Sequence, residues 1–175
     1  KSSPRREVFF VMDLPVGIAT LQHPDRGIGV PFCFFLTLLR KIVEPRPPIA
    51  RQPGKILFVK FAEQGSTVLA YPAIRRAIEL FGSENVYFIV FEDNRFILDA
   101  MEVVPEENVI TIPTQSPFAL ARGALRAILR ARKIGIDSAV DMEFFTRFSA
   151  MLTFLTGARS RVGFHTFFGE GPYRG

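Results

Sequence analysis

A nearly continuous apolar run at residues 55–61, followed directly by a helical pattern, constrains the fold of this chain more than any other feature. The run reads Lys-Ile-Leu-Phe-Val-Lys-Phe and is rich in aromatic and β-branched side chains. It therefore predicts a strand buried on both faces, as in a parallel sheet. After a polar turn with Gly65, Ser66 is predicted to cap a helix that ends at Gly82. The residues predicted to face the sheet are Ala70, Ala73, Ile74, Ala77, Ile78 and Phe81.

Strand-like runs alternate with helical patterns along the rest of the chain. This alternation favours one parallel sheet with right-handed crossovers, flanked by helices, in a Rossmann-like α/β fold. The loop after the first strand would lie at its carboxyl end, where open α/β sheets bind their ligands. The predicted strands are residues 55–61, 86–91, 109–112, 137–141 and 161–164.

Two of the predicted helices have clear boundary signals. Asp93 or Asn94 is predicted to cap a short helix over Arg95–Met101. Ser116 should cap a long helix that has Pro117 at its first position and ends at Gly135. The expected core-facing residues of the long helix are Phe118, Ala121, Leu125, Ile128 and Leu129, and its opposite, basic face carries Arg122, Arg126, Arg130 and Lys133. That basic face is either simply solvated or a contact for an anionic surface.

The amino-terminal third has a different character. Residues 1–26 show little periodicity and are expected to be a poorly ordered lead-in. Residues 27–53 are predicted to form an apolar helix and a Pro-rich linker, and residues 54–175 the Rossmann-like domain. The apolar stretch of the helix is shorter than the roughly 20 residues that cross a bilayer. It either packs into a groove of the same protein or lies on the inner membrane, where residues 27–43 would bind anionic lipid through Arg40 and Lys41.

The overall composition narrows the class of protein and its partners. A length of 175 residues with 48% hydrophobic content suits one folded domain. The formal charge of +5 indicates an anionic partner or simply ordinary solubility. The single Cys33 excludes an intramolecular disulfide and suits a reducing, cytoplasmic compartment. We expect the chain to be a fragment of a longer protein.

The loop after the first strand lacks the common nucleotide-binding fingerprints. It contains neither Gly-x-Gly-x-x-Gly nor Gly-Lys-Ser/Thr. A helix start at this point suits a phosphate or carboxylate group, although the glycine is also consistent with a tight turn alone.

Two blocks of sequence carry a resemblance to a known family. The first block contains Ile56–Phe61, Gly65, Val68-Leu69 and Tyr71–Arg75. The second runs from Val140-Asp-Met-Glu143 through Arg147-Phe-Ser149 to Leu155-Thr-Gly-Ala-Arg159 and Arg161-Val-Gly-Phe164. The first resembles the opening strand, loop and helix of glycosyltransferase family 9, the lipopolysaccharide heptosyltransferase family, and the second resembles a later motif of that family. The resemblance covers residues 55–165.

This resemblance implies the amino-terminal, acceptor-binding half of a GT-B glycosyltransferase. Such an enzyme transfers a sugar, typically heptose from ADP-heptose, to a lipopolysaccharide or related glycan acceptor. The nucleotide sugar would be held by a carboxyl-terminal domain that this chain does not include, and no metal or other cofactor is implied. The fragment alone is then expected to bind acceptor without turnover. The implied location is cytoplasmic and peripheral on the inner membrane.

The resemblance also points to particular site residues. In the family, the loop after the first strand ends in Gly-Asp, and the Asp is the general base; here Ser66 stands at that position. Glu63 is ionisable and could take over as base, or it is a solvated loop carboxylate. Gly65 and Thr67 would bind substrate. Arg147, with Ser149, would bind a phosphate or carboxylate of the acceptor, unless Arg147 is a surface residue or part of a structural ion pair.

Two alternatives remain open from the residues alone. Asp141 and Glu143 would share a face of a strand and could hold a metal ion, as in metal-dependent glycosyltransferases of another fold. The replacement of the family's Asp by Ser66 suggests instead a non-catalytic binding or membrane-docking domain. His23 and His165 stand alone without ligand spacing, so no metal site is expected from them. The chain shows no RNA-binding aromatic motif, and a nucleic-acid partner is not expected.

Overall fold

The computed structural model describes residues 34–36, 38, 54–61, 64–143 and 147–164. Within them lies a five-stranded sheet in which every neighbouring pair of strands is parallel. The order across the sheet is β3-β2-β1-β4-β5. The predicted α/β class and parallel sheet are confirmed. The strands are β1 (Ile56–Val59), β2 (Val86–Phe91), β3 (Val109–Ile112), β4 (Ser138–Asp141) and β5 (Ser160–Gly163).

Helices cover both faces of the sheet. The helices α2 and α3 pack on one face, and α4 and α5 pack on the other. Single turns of 3₁₀ helix precede β2, α3 and β3, at Ser83–Asn85, Glu92–Asn94 and Glu106–Asn108. The helices are α1 (Gln64–Leu69), α2 (Tyr71–Phe81), α3 (Arg95–Met101), α4 (Pro117–Ile134) and α5 (Arg147–Leu155).

The central strand β1 is buried on both faces, as predicted. Its side chains alternate between the two sides of the sheet because successive residues of a strand point in opposite directions. Leu57 and Val59 join the cluster under α4 and α5, whereas Ile56 and Phe58 join the cluster under α2 and α3. The two layers of core therefore meet through this strand.

The helix predicted after the first loop is two helices, not one. Pro72 has no N–H for the carbonyl of Val68, so α1 ends at Leu69 and α2 begins at Tyr71. The predicted cap at Ser66 is wrong, because α1 already starts at Gln64 and Ser66 lies inside it. A serine's capping preference is worth only about 1 kcal/mol, which is too little to set the start of a helix by itself.

The burial pattern of α2 agrees in part with the prediction. Ile74 and Ala77 are buried, and Ile78 and Phe81 are partly buried against the same cluster. Ala73 is exposed, contrary to the prediction. The helix ends at Gly82 as predicted, with the glycine in a positive-φ conformation.

The ends of α4 are as predicted, but its core-facing side is not. The Ser116 hydroxyl accepts a hydrogen bond of 3.1 Å from the backbone N–H of Ala119, and Gly135 closes the helix at φ 76°. Of the five residues predicted to face the core, Ile128 is partly buried, and the other four are exposed. The exposed ones are Phe118, Ala121, Leu125 and Leu129.

Small residues occupy the buried side of α4 instead: Gly123, Ala124, Ala127 and Ala131. They let the helix axis approach the sheet closely. A Cβ on Gly123 would collide with the ring of Pro113, which follows β3. The larger apolar side chains therefore have no room between helix and sheet and point outward. The predicted basic residues Arg122, Arg126, Arg130 and Lys133 are all exposed. They do not lie opposite the large apolar residues as predicted, because residues four apart on a helix are neighbours, and Arg122 and Lys133 follow Phe118 and Leu129 by four.

The amino-terminal prediction is only partly within the described residues. Residues 34–36 and 38 are helical, with Leu36 buried and its apolar neighbours exposed. The rest of Gly27–Val43 lies outside the described residues, as do residues 1–26, most of the Pro-rich linker and residues 165–175. None of the helices in the described part of the chain combines the length and apolar character needed to cross a bilayer.

Candidate functional site

The strand order places a crevice between β1 and β4. From β1 the chain proceeds outward to β2 and β3, and then returns through α4 to β4 on the other side of β1. The chain thus leaves the adjacent strands β1 and β4 in opposite directions. Open α/β sheets bind their ligands between two such strands. At this point Val59 of β1 pairs with Asp141 of β4, and the Met142 N–H donates to the Val59 carbonyl at 2.9 Å.

A buried ion pair joins the carboxyl ends of these two strands. The Lys60 Nζ lies 3.3 Å from the Glu143 Oε1, and their side chains are only 1% and 8% exposed. The same Glu143 oxygen accepts the Phe61 N–H at 2.6 Å. Asp141 is buried beside them, and its Oδ1 accepts the Glu143 N–H at 3.0 Å. These contacts fix the start of the loop after β1 to the start of the loop after β4.

Phe61 is the centre of a second set of contacts. Its ring stacks on Phe91 at a centroid distance of 4.8 Å and lies 5.3 Å from Phe148 in a tilted arrangement. The Phe61 carbonyl accepts a 2.9 Å hydrogen bond from the Asn94 side chain. Phe148 belongs to the first turn of α5, so this ring contact attaches the amino-terminal end of α5 to the end of β1.

Asn94 therefore has a different structural role from the predicted helix cap. It stands at the cap position of α3, but its side chain makes no capping bond to that helix. It links the loop after β2 to the loop after β1 instead. The loop after β3 is attached in turn, because the Thr114 hydroxyl donates to Asp93 at 2.5 Å and the Gln115 amide to Glu92 at 2.9 Å. Hydrogen bonds thus run across the carboxyl edge from β1 to β3.

The structure places the predicted substrate-binding residues in α1 and α5, the helices that follow β1 and β4. Gly65 is exposed, with no atom within 4 Å of the position of an added Cβ. Ser66 is partly buried and Thr67 is buried. Arg147 opens α5 and is partly buried, and Ser149 is buried two residues later. The predicted base Glu63 lies outside the described residues.

The metal hypothesis for Asp141 and Glu143 receives no support from their contacts. Glu143 pairs with Lys60, and Asp141 accepts a backbone N–H. Among the residues that the structure describes, there is no group of three His, Cys, Asp or Glu side chains that could hold a metal ion.

Sequence analysis overlooked three residues that organise this edge: Lys60, Phe61 and Phe148. The signal for Lys60 was present, since a lysine inside an apolar strand end must find a partner when it is buried. Its partner is 83 positions further along the chain, and no local pattern indicates which carboxylate it will meet. Phe148 stands between the two predicted site residues Arg147 and Ser149 and packs against Phe61.

A cavity of about 450 Å³ lies at the opposite, amino-terminal edge of the sheet and contains none of the predicted site residues. Asp99, Glu102 and Glu106 contribute to its lining. Arg95 lies 3.3 Å from Asp99 and 3.5 Å from Glu106, and so balances part of the acidic charge. Asp99 and Glu106 are thus placed in surface ion pairs, away from the crevice between β1 and β4.

Comparison of the chain with models of known protein families, with curated proteins and with solved structures found no match. The residues and geometry of the crevice are therefore the basis for a functional proposal.

Proposed function

We propose that this chain is the acceptor-binding half of a glycosyltransferase of the heptosyltransferase type. Its crevice between β1 and β4 would hold a lipopolysaccharide-type or related glycan acceptor. A nucleotide sugar, typically ADP-heptose, would be supplied by a carboxyl-terminal domain in a GT-B arrangement. The protein would work in the cytoplasm at the inner membrane surface.

One observation carries the proposal. The two sequence blocks that resemble the heptosyltransferase family are far apart in the chain, yet both border the same crevice. The first block supplies β1, α1 and the start of α2, and the second supplies β4, α5 and β5. The pairing of Val59 with Asp141 and the contact between Lys60 and Glu143 bring the two blocks together. Because the two blocks meet where open α/β sheets bind ligands, their proximity supports one binding site shared by both blocks.

The proposed reaction joins an acceptor hydroxyl to the anomeric carbon of the donor sugar. The acceptor oxygen forms the new glycosidic bond as the bond from the anomeric carbon to the diphosphate breaks. The nucleoside diphosphate leaves with the electron pair, and a base takes the hydroxyl proton. Glu63 is our candidate for that base, because Ser66 is a poor base near neutral pH without a partner.

Arg147 has a binding role in this proposal. Its guanidinium can form a paired, charge-assisted contact with a phosphate or carboxylate of an acidic acceptor sugar. Gly65, Ser66 and Thr67 would line the crevice on the β1 side. Lys60 and Glu143 are buried and would position the two loops, without touching the substrate.

The first experiment measures acceptor binding by titration calorimetry with a deacylated lipopolysaccharide core. The absence of acyl chains restricts the measurement to glycan recognition. We expect binding to the unmodified chain and a loss of about 10–100-fold in affinity for Arg147→Ala, as for other hydrogen bonds to charged groups. The matched control is Arg75→Ala on the exposed side of α2, which should bind normally. No binding by the unmodified chain, or equal binding by Arg147→Ala, would contradict this assignment.

The second experiment measures sugar transfer by the full-length protein. Glu63→Gln should lower the turnover number by about 10²–10⁴-fold if Glu63 is the base, because a positioned base contributes that much. Ser66→Ala should have a smaller effect. Turnover by Glu63→Gln at the unmodified rate would exclude Glu63 as the base.

A non-catalytic domain is the second candidate, and the serine in place of the family's aspartate favours it. Ser66→Asp separates the two in the same assay. A higher rate for Ser66→Asp would identify the natural protein as a weakened or specialised relative. Acceptor binding with no transfer by either form would support the binding domain.

A further inference from the structure

The outer face of α4 carries three large apolar side chains in contact with solvent. Phe118 is 76% exposed, and Leu125 and Leu129 are each 57% exposed. They are seven and four residues apart along the helix, so they form one line on its surface. We call this line the α4 ridge. Since the close approach of α4 to the sheet leaves no room for these side chains inside, the ridge is a consequence of the packing itself.

Cations lie beside the α4 ridge. Arg122 and Lys133 each follow a ridge residue by four positions, and Arg126 follows Arg122 by four, so these exposed residues all lie on one side of the ridge. We call them the flanking cations. The 18-residue helix contains no Asp or Glu, and among the described residues no ion pair involves a side chain of α4. Arg130 and Arg132 donate to the backbone carbonyls of Glu107 and Leu155. The surface is therefore apolar along the ridge and cationic along one side of it, with no carboxylate of the same helix to neutralise the charge.

We propose that the α4 ridge and its flanking cations dock on the surface of an anionic lipid bilayer. An apolar line bordered by arginine and lysine is the arrangement with which a helix lies in the plane of a membrane interface. The apolar side chains would enter the boundary between headgroups and acyl chains. The flanking cations would meet the anionic headgroups, each contributing to binding at a negatively charged surface.

Charge complementarity favours lipid over other occupants of this surface. A second copy of the chain on the same face would bring the cations of two α4 helices together, with no acidic residue on either helix to balance them. A nucleic acid would pair with the cations but would leave the three apolar side chains without a suitable contact. An anionic bilayer is the partner that satisfies both parts of the surface.

This docking surface lies apart from the crevice of the proposed sugar transfer. The helix is about 27 Å long at 1.5 Å per residue. It follows β3 and covers one face of the sheet, whereas the crevice lies at the carboxyl edge. Docking through the outer side of α4 would leave the crevice accessible.

The absence of tryptophan from the chain allows a direct test. Leu129→Trp places a single probe on the α4 ridge. Leu80→Trp is the matched control, because Leu80 is similarly exposed, at 56%, on α2 across the sheet. With vesicles of equal parts phosphatidylcholine and phosphatidylglycerol, we expect a blue shift of tryptophan emission for Leu129→Trp only. An unshifted spectrum for Leu129→Trp, or equal shifts for both variants, would overturn the proposal.

Co-sedimentation with the same vesicles tests the two parts of the surface separately. The pair Leu125→Ser and Leu129→Ser should weaken binding by about tenfold or more, because it removes the apolar contact. The pair Arg122→Gln and Arg126→Gln should weaken it by about 25-fold, since each cation near an anionic surface is worth about fivefold. The controls are Leu80→Ser and the pair Arg75→Gln and Arg76→Gln on α2, which should bind as the unmodified chain does.

Three outcomes would reject the lipid assignment. Equal vesicle binding by the α4 variants and the unmodified chain would place binding elsewhere, for example in residues 27–43. A concentration-dependent dimer that only the leucine variants abolish, without vesicle binding, would identify a second copy as the occupant. Equal loss of binding in the Arg75→Gln and Arg76→Gln pair on α2 would show that net charge, not the α4 surface, is responsible.

Discussion

At the scale of single residues, the contact between Lys60 and Glu143 is the most consequential feature of the crevice. Both side chains are buried, and one carboxylate oxygen serves both the lysine and a backbone N–H. A buried charge is tolerated only with a well-placed partner, so each residue makes the other necessary. The pair thereby holds the two loops that the proposed acceptor site needs in fixed positions.

This reciprocal dependence predicts a strong coupling between the two residues. Lys60→Met and Glu143→Gln should each lower the free energy of unfolding by about 3–5 kcal/mol, because each leaves a buried charge or polar group unbalanced. The double variant should lose much less free energy of unfolding than the sum of the two single losses. Urea unfolding of the four proteins measures this coupling.

The exposed pair Arg76 and Glu79 on α2 provides the matched control. These side chains lie 3.2 Å apart in solvent. The corresponding double-mutant cycle of Arg76→Met and Glu79→Gln should give a coupling energy of less than about 1 kcal/mol. Additive losses at Lys60 and Glu143 would show that the two residues do not depend on each other.

At the scale of elements, α4 shows how packing distance decides which side of a helix is buried. The side with glycine and alanine faces the sheet, although the opposite side carries the larger apolar residues. Hydrophobicity alone favours burial of phenylalanine and leucine. The position of Pro113 against Gly123 permits only the small side, and the exposed ridge results from this constraint.

Substitution of Gly123 should reveal this constraint directly. Alanine normally stabilises an interior helix position by about 1 kcal/mol relative to glycine. Gly123→Ala should instead destabilise the protein by about 1–3 kcal/mol, because the new methyl group meets the Pro113 ring. Thermal or urea unfolding measures the difference.

The matched control is Gly65→Ala in α1, where the added methyl group meets no atom within 4 Å. That variant should be as stable as the unmodified chain or more stable. Stabilisation by Gly123→Ala would mean that α4 can move away from the sheet, and that its exposed ridge is not forced by packing.

At the scale of the whole molecule, β1 links the two layers of core. Leu57 faces the cluster under α4 and α5, and Phe58 faces the cluster under α2 and α3. Because one strand contributes to both clusters, neither layer should lose its packing without the other. The described domain is therefore expected to unfold as one cooperative unit.

Shortening a side chain on either face of β1 tests this cooperativity. Leu57→Ala should destabilise the protein by about 2–5 kcal/mol and Phe58→Ala by about 3–5 kcal/mol, since each opens a cavity in one cluster. Unfolding followed by far-ultraviolet circular dichroism and by tyrosine fluorescence should give coincident, equally shifted transitions. Val162→Ala on the edge strand β5 removes an exposed side chain and should have little effect. Separate transitions for the two signals would mean that the layers unfold independently.

Elements that depend on short-range information could be predicted from the sequence alone. All five strands were predicted, and for β1, β2 and β3 the signal was a continuous apolar run, which a parallel strand covered on both faces needs. The caps at Ser116, Gly82 and Gly135 were also predicted, because capping depends on residues within one turn of the helix end. The break before α2 at Pro72 is equally local and could have been predicted from the missing N–H.

Features that depend on contacts between distant parts of the chain became visible only in the folded structure. The order β3-β2-β1-β4-β5, and with it the crevice, arises from the packing of whole crossover units. The partner of Lys60 is brought to it by the pairing of β1 with β4. The outward direction of Phe118, Leu125 and Leu129 follows from the small distance between α4 and the sheet. Periodicity can identify two faces of a helix, but the space available beside the sheet determines which face is buried.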